Sequence, residues 1–506
     1  ARYHPIAGLF VSGEDVDIFE ALQKPAPQTR SELELEEMDL PGDLETPVSA
    51  YLKLRSIGAR FLLESAEDSK SIGRYTFLGV DPLLRIEIRD DDTFISAGAH
   101  HLSVPHSAGG APFDGLRRVL DRFRLSSRTE IPLLGGLVGY ASYDIVKFFE
   151  PSLRSALAPE DGPIGLFYFV DTLLVFDHYM RRMKLVRLRH KGEPLHNGTS
   201  PIPLEKIAST LSNQLPTIPQ TKATAASSNG YKPNFSQVEY EAMVETTREH
   251  IVKGDVFQTV ISLREEHQTN VDSFLVYRAL RMINPSPYMY FLDFDDVQLF
   301  GSSPEVLVTL HDRRARVRPI AGTRRRGQNP ESDRRMAQEL IHDAKERAEH
   351  VMLVDLARND LGRVCEFGSI SVPSMFDLEY FSHVMHLTST VTGKLKEGLD
   401  SFDLFRSTFP AGTVSGAPKL RAMEIIAELE RSSRGTYAGA VGYFSLSGDF
   451  DMCITIRTIV RQNGSLRLQA GAGIVADSIP SQEYLETRNK IAALKQAIAN
   501  AEEGRL

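Results

Sequence analysis

Apolar and polar positions recur along the chain with two periods. From Thr46 to about residue 190 the period is two or the runs are short and continuously apolar. "RFLLES" (60–65), "YTFLGVDP" (75–82), "LRIEIRDDDTFISAG" (84–98), "GLFYFVDTLLVFDH" (165–178) and "RRMKLVRLRH" (181–190) read as strands between turns, with a glycine-rich strand in "LLGGLVGYASYD" (133–144). "DGLRRVLDRFR" (114–124) reads as a helix among them. Farther on, a helical period appears in "SQVEYEAMVETTREHIVKGD" (236–255), opened by a Ser236 cap and closed at Gly254, and in "DSFLVYRALRMI" (272–283). Strands are predicted at "VFQTVISLRE" (256–265), "YMYFLDF" (288–294), "VQLFGSSP" (297–304) and "VLVTLH" (306–311). Strands and helices come in runs without strict alternation, which predicts an α+β chain of antiparallel sheets with outer helices. Two breaks rich in Pro, Gly, Ser and Thr, 191–203 and 216–234, suggest three regions: an acidic, loosely docked lead-in (1–45), a first region (46–223) and a second (224–506).

Two helices break the usual pattern. In "DAKERAEHVMLVDLARNDLGRV" (343–364), with ~100° of turn per residue, Glu346, Glu349, Leu353, Leu356 and Asp360 share one face. Leu353 and Leu356 mark that face as the packed side, so two carboxylates point where burial is costly. In "SIPSQEYLETRNKIAALKQAI" (478–498) Ser481 is the expected cap, and Glu483 and Glu486 border the apolar stripe of Tyr484, Ile491, Leu494 and Ile498, with Lys490 one turn on. Such glutamates ordinarily stay solvated or pair with Lys or Arg at i+4. If the two pairs converge, they need a cation. With no cysteine near and His350 turned ~100° from Glu349, a hard oxygen-seeking ion such as Mg²⁺ suits them. Both readings stay open on spacing alone.

Composition narrows the field. The net charge is −9, and the densest basic run is Arg324–Arg325–Arg326, which argues against a nucleic-acid partner. Cys365 and Cys453 are the only cysteines, so neither a disulfide framework nor a cysteine metal site is expected, as suits a cytoplasmic protein. No apolar run reaches the ~18 residues of a membrane span, and no signal-peptide pattern opens the chain. "GAGIVA" (471–476) fits a dinucleotide fingerprint, but that motif must open a helix directly, and here "DSIPS" intervenes. Its glycines better serve close approach of backbone N–H groups to a carboxylate.

Six motifs occur in order: "RPIAGTRRRG" (318–327), "ERAEHVMLVDLARNDLGRV" (346–364), "FSHVMHLTSTVTG" (381–393), "FPAGTVSGAPKLRAMEII" (409–426), "YAGAVGYFSLSGDFDMCITIRT" (437–458) and "AGAGIVADSIPSQEYLETRNK" (470–490). The set resembles the chorismate-utilising enzymes. That resemblance implies two orthogonally packed antiparallel sheets forming a sandwich wrapped by helices, with the active site in a cleft. It implies Mg²⁺ held directly by Glu349 and Glu486, with Glu346 and Glu483 as water-mediated partners or as the acid on a reacting hydroxyl. His386 is implied in the step that removes the C2 proton, and Thr413 near the ring. Tyr437 and Arg457 are implied on the enolpyruvyl carboxylate, Gly471, Ala472 and Gly473 as a backbone wall, and Lys490 as positive charge beside the glutamates.

Two positions separate the branches of this family. Members that attack the ring with a lysine carry it where this chain has Ala321, and members that activate water with a lysine carry it where this chain has Gln258. Neither side chain can play those parts, which leaves ammonia as the nucleophile. The pattern resembles the anthranilate synthase branch, which converts chorismate and ammonia to anthranilate and pyruvate. A related end point, an aminodeoxyisochorismate that keeps its enolpyruvyl group, stays open, as does a catalytically inactive tryptophan-binding regulator. "LLES" (62–65) and "NPSPYM" (284–289) resemble that branch's tryptophan-binding element, implying Glu64, Ser65, Pro287, Tyr288 and Met289 as inhibitor contacts. No nucleophile-elbow cysteine is present, so ammonia is expected from solution or from a separate glutamine amidotransferase subunit.

Overall fold

The structure, a computed structural model, describes residues 17–24, 29–65, 73–106, 111–127, 129–159, 162–216, 230–380 and 384–505. Parts of the lead-in, residues 66–72 after "LLES", most of the expected boundary between the two regions and residues 381–383 lie outside the described residues.

Strands that are apolar at nearly every position must be covered on both faces. Gly136–Ala141 and Gly165–Val170 are such strands, buried throughout. They lie inside a sandwich of two large, mostly antiparallel sheets with 14 and 12 strands among the described residues. Phe61, Phe77, Leu173, Tyr290 and Leu299 of the first sheet pack against Val138, Leu166, Tyr168, Val441 and Cys453 of the second. Helices cover the outer faces. Pro47–Leu54, Ser273–Ile283 and Pro480–Glu502 lie on the first sheet, and Asp114–Leu120, Ala344–Val364 and Ser401–Thr408 on the second. No helix among the described residues is long and apolar enough to cross a membrane.

The two regions expected on either side of 223/224 are not separate domains. Each supplies one contiguous block of both sheets. The blocks join by backbone hydrogen bonds at two seams: Ala59–Glu64 against Tyr288–Asp293, and Gly136–Ala141 against Ala440–Ser445. The stretch "GLFYFVDTLLVFDH" crosses between layers, with Gly165–Val170 in the second sheet and Thr172–Asp177 in the first.

Three local expectations are corrected. The lead-in is docked where it is described: Ile18 and Leu22 are fully buried, and Ser31–Pro41 is a strand paired with Arg182–His190. Its acidic residues meet a basic strand, with Lys184 Nζ 2.8 Å from Glu37 and Arg189 Nη1 3.2 Å from Glu36. The helix at Asp114 ends at Leu120, and Phe123–Leu125 forms a short strand beside Ser31–Pro41. The last long helix begins at Pro480, two residues before the expected start, with Ile479 rather than Ser481 at the cap position. Proline at the first helical position loses no hydrogen bond, because its N–H would be an orphan there anyway.

Expressed alone, residues 230–505 would expose both seam strands as unpaired edges. Such edges template aggregation. The fragment is expected in the insoluble fraction, with soluble material recovered on co-expression with residues 1–216, as read by size-exclusion chromatography.

Candidate active site

The Ala344–Val364 helix starts where Asp343 caps it, accepting from Lys345 N at 3.0 Å and Glu346 N at 3.1 Å. Its deepest face carries His350, Leu353, Val354, Ala357 and Leu361. Glu346 and Glu349 stand at the border of that face, half-buried. Leu356 is also half-buried, under the loop at Gly412, where an added Cβ would come within 2.2 Å of it. Asp360 is buried and paired with Lys419 Nζ at 2.8 Å. His350 turns away from the glutamates and meets Ser389 Oγ at 2.7 Å, and burial pushes its imidazole down to about 4.

The Pro480–Glu502 helix brings the second pair. Glu483 is half-buried, and Glu486 is exposed and paired with Lys490 Nζ at 2.8 Å. The two helices face one another closely enough for their acids to interact. Glu349 is raised above the usual carboxylate range by burial first and then by the charges of Glu346 and Glu486, while the Gln258 side chain opposes that shift. Glu483 is raised by burial, and Glu486 adds to it. Glu346 pairs with Arg324 Nη1 at 2.8 Å. Among the described residues, no three His, Cys, Asp or Glu side chains close into a metal cage.

Between the helices lies the edge of the first sheet. Val260, Ile261 and Ser262 pair with Gly473, Ala472 and Gly471. Side chains at the two glycines would collide with the site. A Cβ on Gly471 would lie 2.8 Å from the Tyr437 hydroxyl, and one on Gly473 would lie 2.5 Å from Gln258 Nε2. Ala472 points into the core, and Lys490 Nζ also donates to Gly471 O at 2.8 Å.

The opposite wall comes from the second sheet. His386 sits opposite Thr323, with Nδ1 3.2 Å from Gly322 O and 3.0 Å from Thr323 Oγ1. Burial lowers its pKa, with Arg457 adding to the shift and the Gly322 carbonyl opposing it. The imidazole is therefore neutral at pH 7, and an Nδ1–H donated to Gly322 leaves Nε2 carrying the lone pair. Gly322 also borders Glu346, whose Oε2 is 3.2 Å from where a Cβ would stand. Arg457 is half-buried in a left-handed conformation (φ +51°) and pairs with no carboxylate among the described residues. A cation held this way is poised for an incoming anion, and the strained backbone fits a site residue. Tyr437 beside it is buried, and its phenol is pushed up to about 12 chiefly by burial.

Thr413 lies in the loop beneath, in a small cavity of about 50 Å³ shared with Glu305, Leu353, Leu356 and Asp360. Glu305 was not among the residues expected from the sequence. Burial pushes its carboxyl up to about 7, opposed by the Thr413 hydroxyl and the Lys490 charge. Its only trace in the sequence is a lone acid after a turn proline in "SSPEV". Apart from this centre, Glu64 accepts from Arg281 Nε at 2.8 Å and pairs across the first seam with Met289. Ser65 and the buried Pro287 flank this pair, and Tyr288 Oη donates to Asp451 Oδ1 at 2.9 Å.

The cleft thus combines an acidic rim, an arginine without a carboxylate partner among the described residues, a neutral histidine and a backbone wall. That is the equipment for binding a small dianion and moving protons on it. The sequence pattern of the family described as "chorismate binding enzyme" matches residues 58–496. The chain belongs to this family. It is 42% identical over 474 residues to anthranilate synthase component 1 of Aquifex aeolicus, covering 91% of this chain and 94% of that protein. It is 43% identical to the component 1 protein of Synechocystis sp., covering 90% and 94%. Among solved structures, anthranilate synthase component I from Streptococcus pneumoniae superposes with a TM-score of 0.72 at 35% identity, covering 90% of this chain and 98% of that one. The menaquinone-specific isochorismate synthase from Escherichia coli shares the fold at a TM-score of 0.69 and 18% identity.

The buried His350 gives a pH prediction. Its folded-state pKa of about 4 lies below the ordinary 6.5, so the unfolded chain binds the extra proton between those values. Stability therefore falls as pH drops through that window, by up to about 3 kcal/mol from this group. Urea midpoints measured from pH 7 to 4 are expected to decline less steeply in His350→Gln.

Proposed function

We propose that the chain is the synthase subunit of an anthranilate synthase, which converts chorismate and ammonia to anthranilate and pyruvate in tryptophan biosynthesis. The observation that carries this reading is that neither position at which other branches of the family place a reacting lysine carries an amine here. Ala321 has only a methyl group, and the Gln258 amide is engaged with Glu349. Ammonia needs neither device. The names of the component 1 relatives support the same reaction and imply a second component, here taken to be a glutamine amidotransferase that supplies the ammonia.

Glu349 and Glu486 would hold Mg²⁺ directly, and Glu346 and Glu483 through water. The fit rests on the donors themselves: hard carboxylate oxygens from two helices whose like charges already raise Glu349, a cost that a divalent cation relieves. When bound, the ion supplies positive charge for the ring carboxylate. Arg457 and Tyr437 take the enolpyruvyl carboxylate, Arg457 through its planar fork. Ammonia forms a bond to C2 while the C4 hydroxyl leaves as water. Glu305, with a carboxyl near 7, is suited to protonate that hydroxyl. Glu346 is less suited, because its carboxylate is already engaged by Arg324 Nη1 at 2.8 Å. The ammonium nitrogen loses a proton, giving aminodeoxyisochorismate. The lone pair at His386 Nε2 then takes the C2 proton, the ring C–O bond of the ether breaks to leave an aromatic ring, and the enolpyruvate released takes a proton at its methylene carbon to become pyruvate.

Tryptophan is taken as the feedback inhibitor, held at the seam by Glu64, Ser65, Pro287, Tyr288 and Met289. The two cysteines, both buried and free, suit a cytoplasmic setting.

Incubation with chorismate, Mg²⁺ and an ammonium salt is expected to yield anthranilate fluorescence that EDTA abolishes. Isochorismate or 4-aminobenzoate as the main product would refute the assignment. His386→Ala is expected to lower anthranilate output about 100-fold and release the intermediate with its enolpyruvyl group, identified by mass. Glu64→Ala is expected to keep turnover while losing inhibition by tryptophan.

A further inference from the structure

Behind the cleft lies an ion pair that the reaction above does not use. Glu430 ends the Lys419–Glu430 helix, and Arg434 follows it after a left-handed turn at Arg431. Both side chains are almost wholly buried, with exposures of 4% and 1%. Arg434 Nε donates to Glu430 Oε2 at 2.8 Å and Nη2 to Glu430 Oε1 at 2.6 Å. A buried pair of this kind is weak evidence for a stabilising role, because well-packed apolar residues of similar volume often do as well.

The remaining contacts indicate what the pair does. Arg434 Nη1 donates to Val414 O at 2.7 Å, the residue after Thr413. Arg434 Nη2 donates to Val260 O at 2.8 Å, on the strand that carries Gly471 and Gly473 as its partners. Glu430 Oε1 accepts Ser262 N at 2.8 Å and Ser262 Oγ at 2.9 Å, and Ser262 Oγ accepts Gln469 Nε2 at 2.8 Å. The guanidinium plane also stands 4.9 Å from the Tyr143 ring and 5.6 Å from the Tyr437 ring. One planar fork thus touches the loop of Thr413, the strand facing the glycine wall and the ring of Tyr437. Those elements come from three separate parts of the chain, and this pair bridges all of them.

We propose that Arg434 and Glu430 are positioning residues, fixing the distances among Thr413, the Gly471–Gly473 wall and Tyr437 so that chorismate is gripped. This rests on the chorismate reading of the cleft. Lysine at 434 keeps the charge but lacks the fork, so it cannot reach Val414 and Val260 together while pairing with Glu430. Misplacement on the order of 1 Å in such a site costs about 100-fold.

Three variants test this: Arg434→Lys, Glu430→Gln, and the apolar double variant Arg434→Met with Glu430→Leu. Urea unfolding gives stability, kinetics gives KM and kcat, and calorimetry without ammonia gives Kd for chorismate with Mg²⁺. Arg434→Lys is expected to raise KM and Kd about 100-fold and to lower kcat less. The double variant is expected to unfold near the wild-type midpoint yet stay weak in binding, an outcome a purely structural pair does not produce. The proposal is overturned if a folded variant lacking the fork binds and turns over chorismate within about twofold of wild type. It is equally overturned if all three fail to fold, since the pair then serves folding alone. If wild-type protein binds chorismate but makes no anthranilate, the reaction assignment fails while the Kd comparison still decides this point.

Discussion

Backbone hydrogen bonding across the two seams is the constraint on which the rest of the structure depends. Ala59–Glu64 with Tyr288–Asp293, and Gly136–Ala141 with Ala440–Ser445, turn two half-sandwiches into one continuous body. Unlike side-chain packing, a ladder of N–H to O=C bonds cannot slide by part of a residue, and a whole-residue slip would turn every core side chain outward. The cleft is built on this rigid frame. Its acidic helices lie on the outer faces of the two sheets, and its walls are the sheets' own strands.

The electrostatics of the cleft follow from where those elements end. Acids gather on one side, at Glu346, Glu349, Glu483 and Glu486, and each has a local reason to be tolerated there. Arg324 neutralises Glu346 and Lys490 neutralises Glu486, while Glu349 and Glu483 are partly protected by raised pKa values. Arg457 keeps its charge without a carboxylate partner among the described residues. Holding these charges is costly, and the proposed dianion and Mg²⁺ would relieve that cost. The same cost explains the neutral His386. Burial and a nearby arginine both disfavour a second positive charge on that wall.

Much of this was legible in the amino-acid sequence where the period was clean. The helices at 237–252, 273–283 and 344–364 and the strands at 258–268 and 288–311 lie where their patterns put them. The acidic stretch 31–41 did not declare itself, because its charge suggested a solvated tail while its alternation of Glu and Leu encoded a strand. Its basic partner lies about 150 residues away, and nothing local announces such pairing. Glu305 was missed for a similar reason. One acid after a turn carries no periodic signal, and only the fold brings Thr413 and Lys490 to it. The glutamate pairs stood out because their spacing conflicted with an otherwise regular helix, the kind of local contradiction that marks a candidate site.

The glycine wall at 471–473 has a consequence for how the family diversifies. Main-chain amides offer nothing for a point mutation to exchange, and any new side chain at Gly471 or Gly473 would strike Tyr437 or Gln258. That wall of the cleft is thereby closed to tinkering. On the proposed chemistry, a change in what attacks the ring would have to enter at side-chain positions such as 258 and 321, where the resemblance implies lysine in other branches and this chain has Gln258 and Ala321.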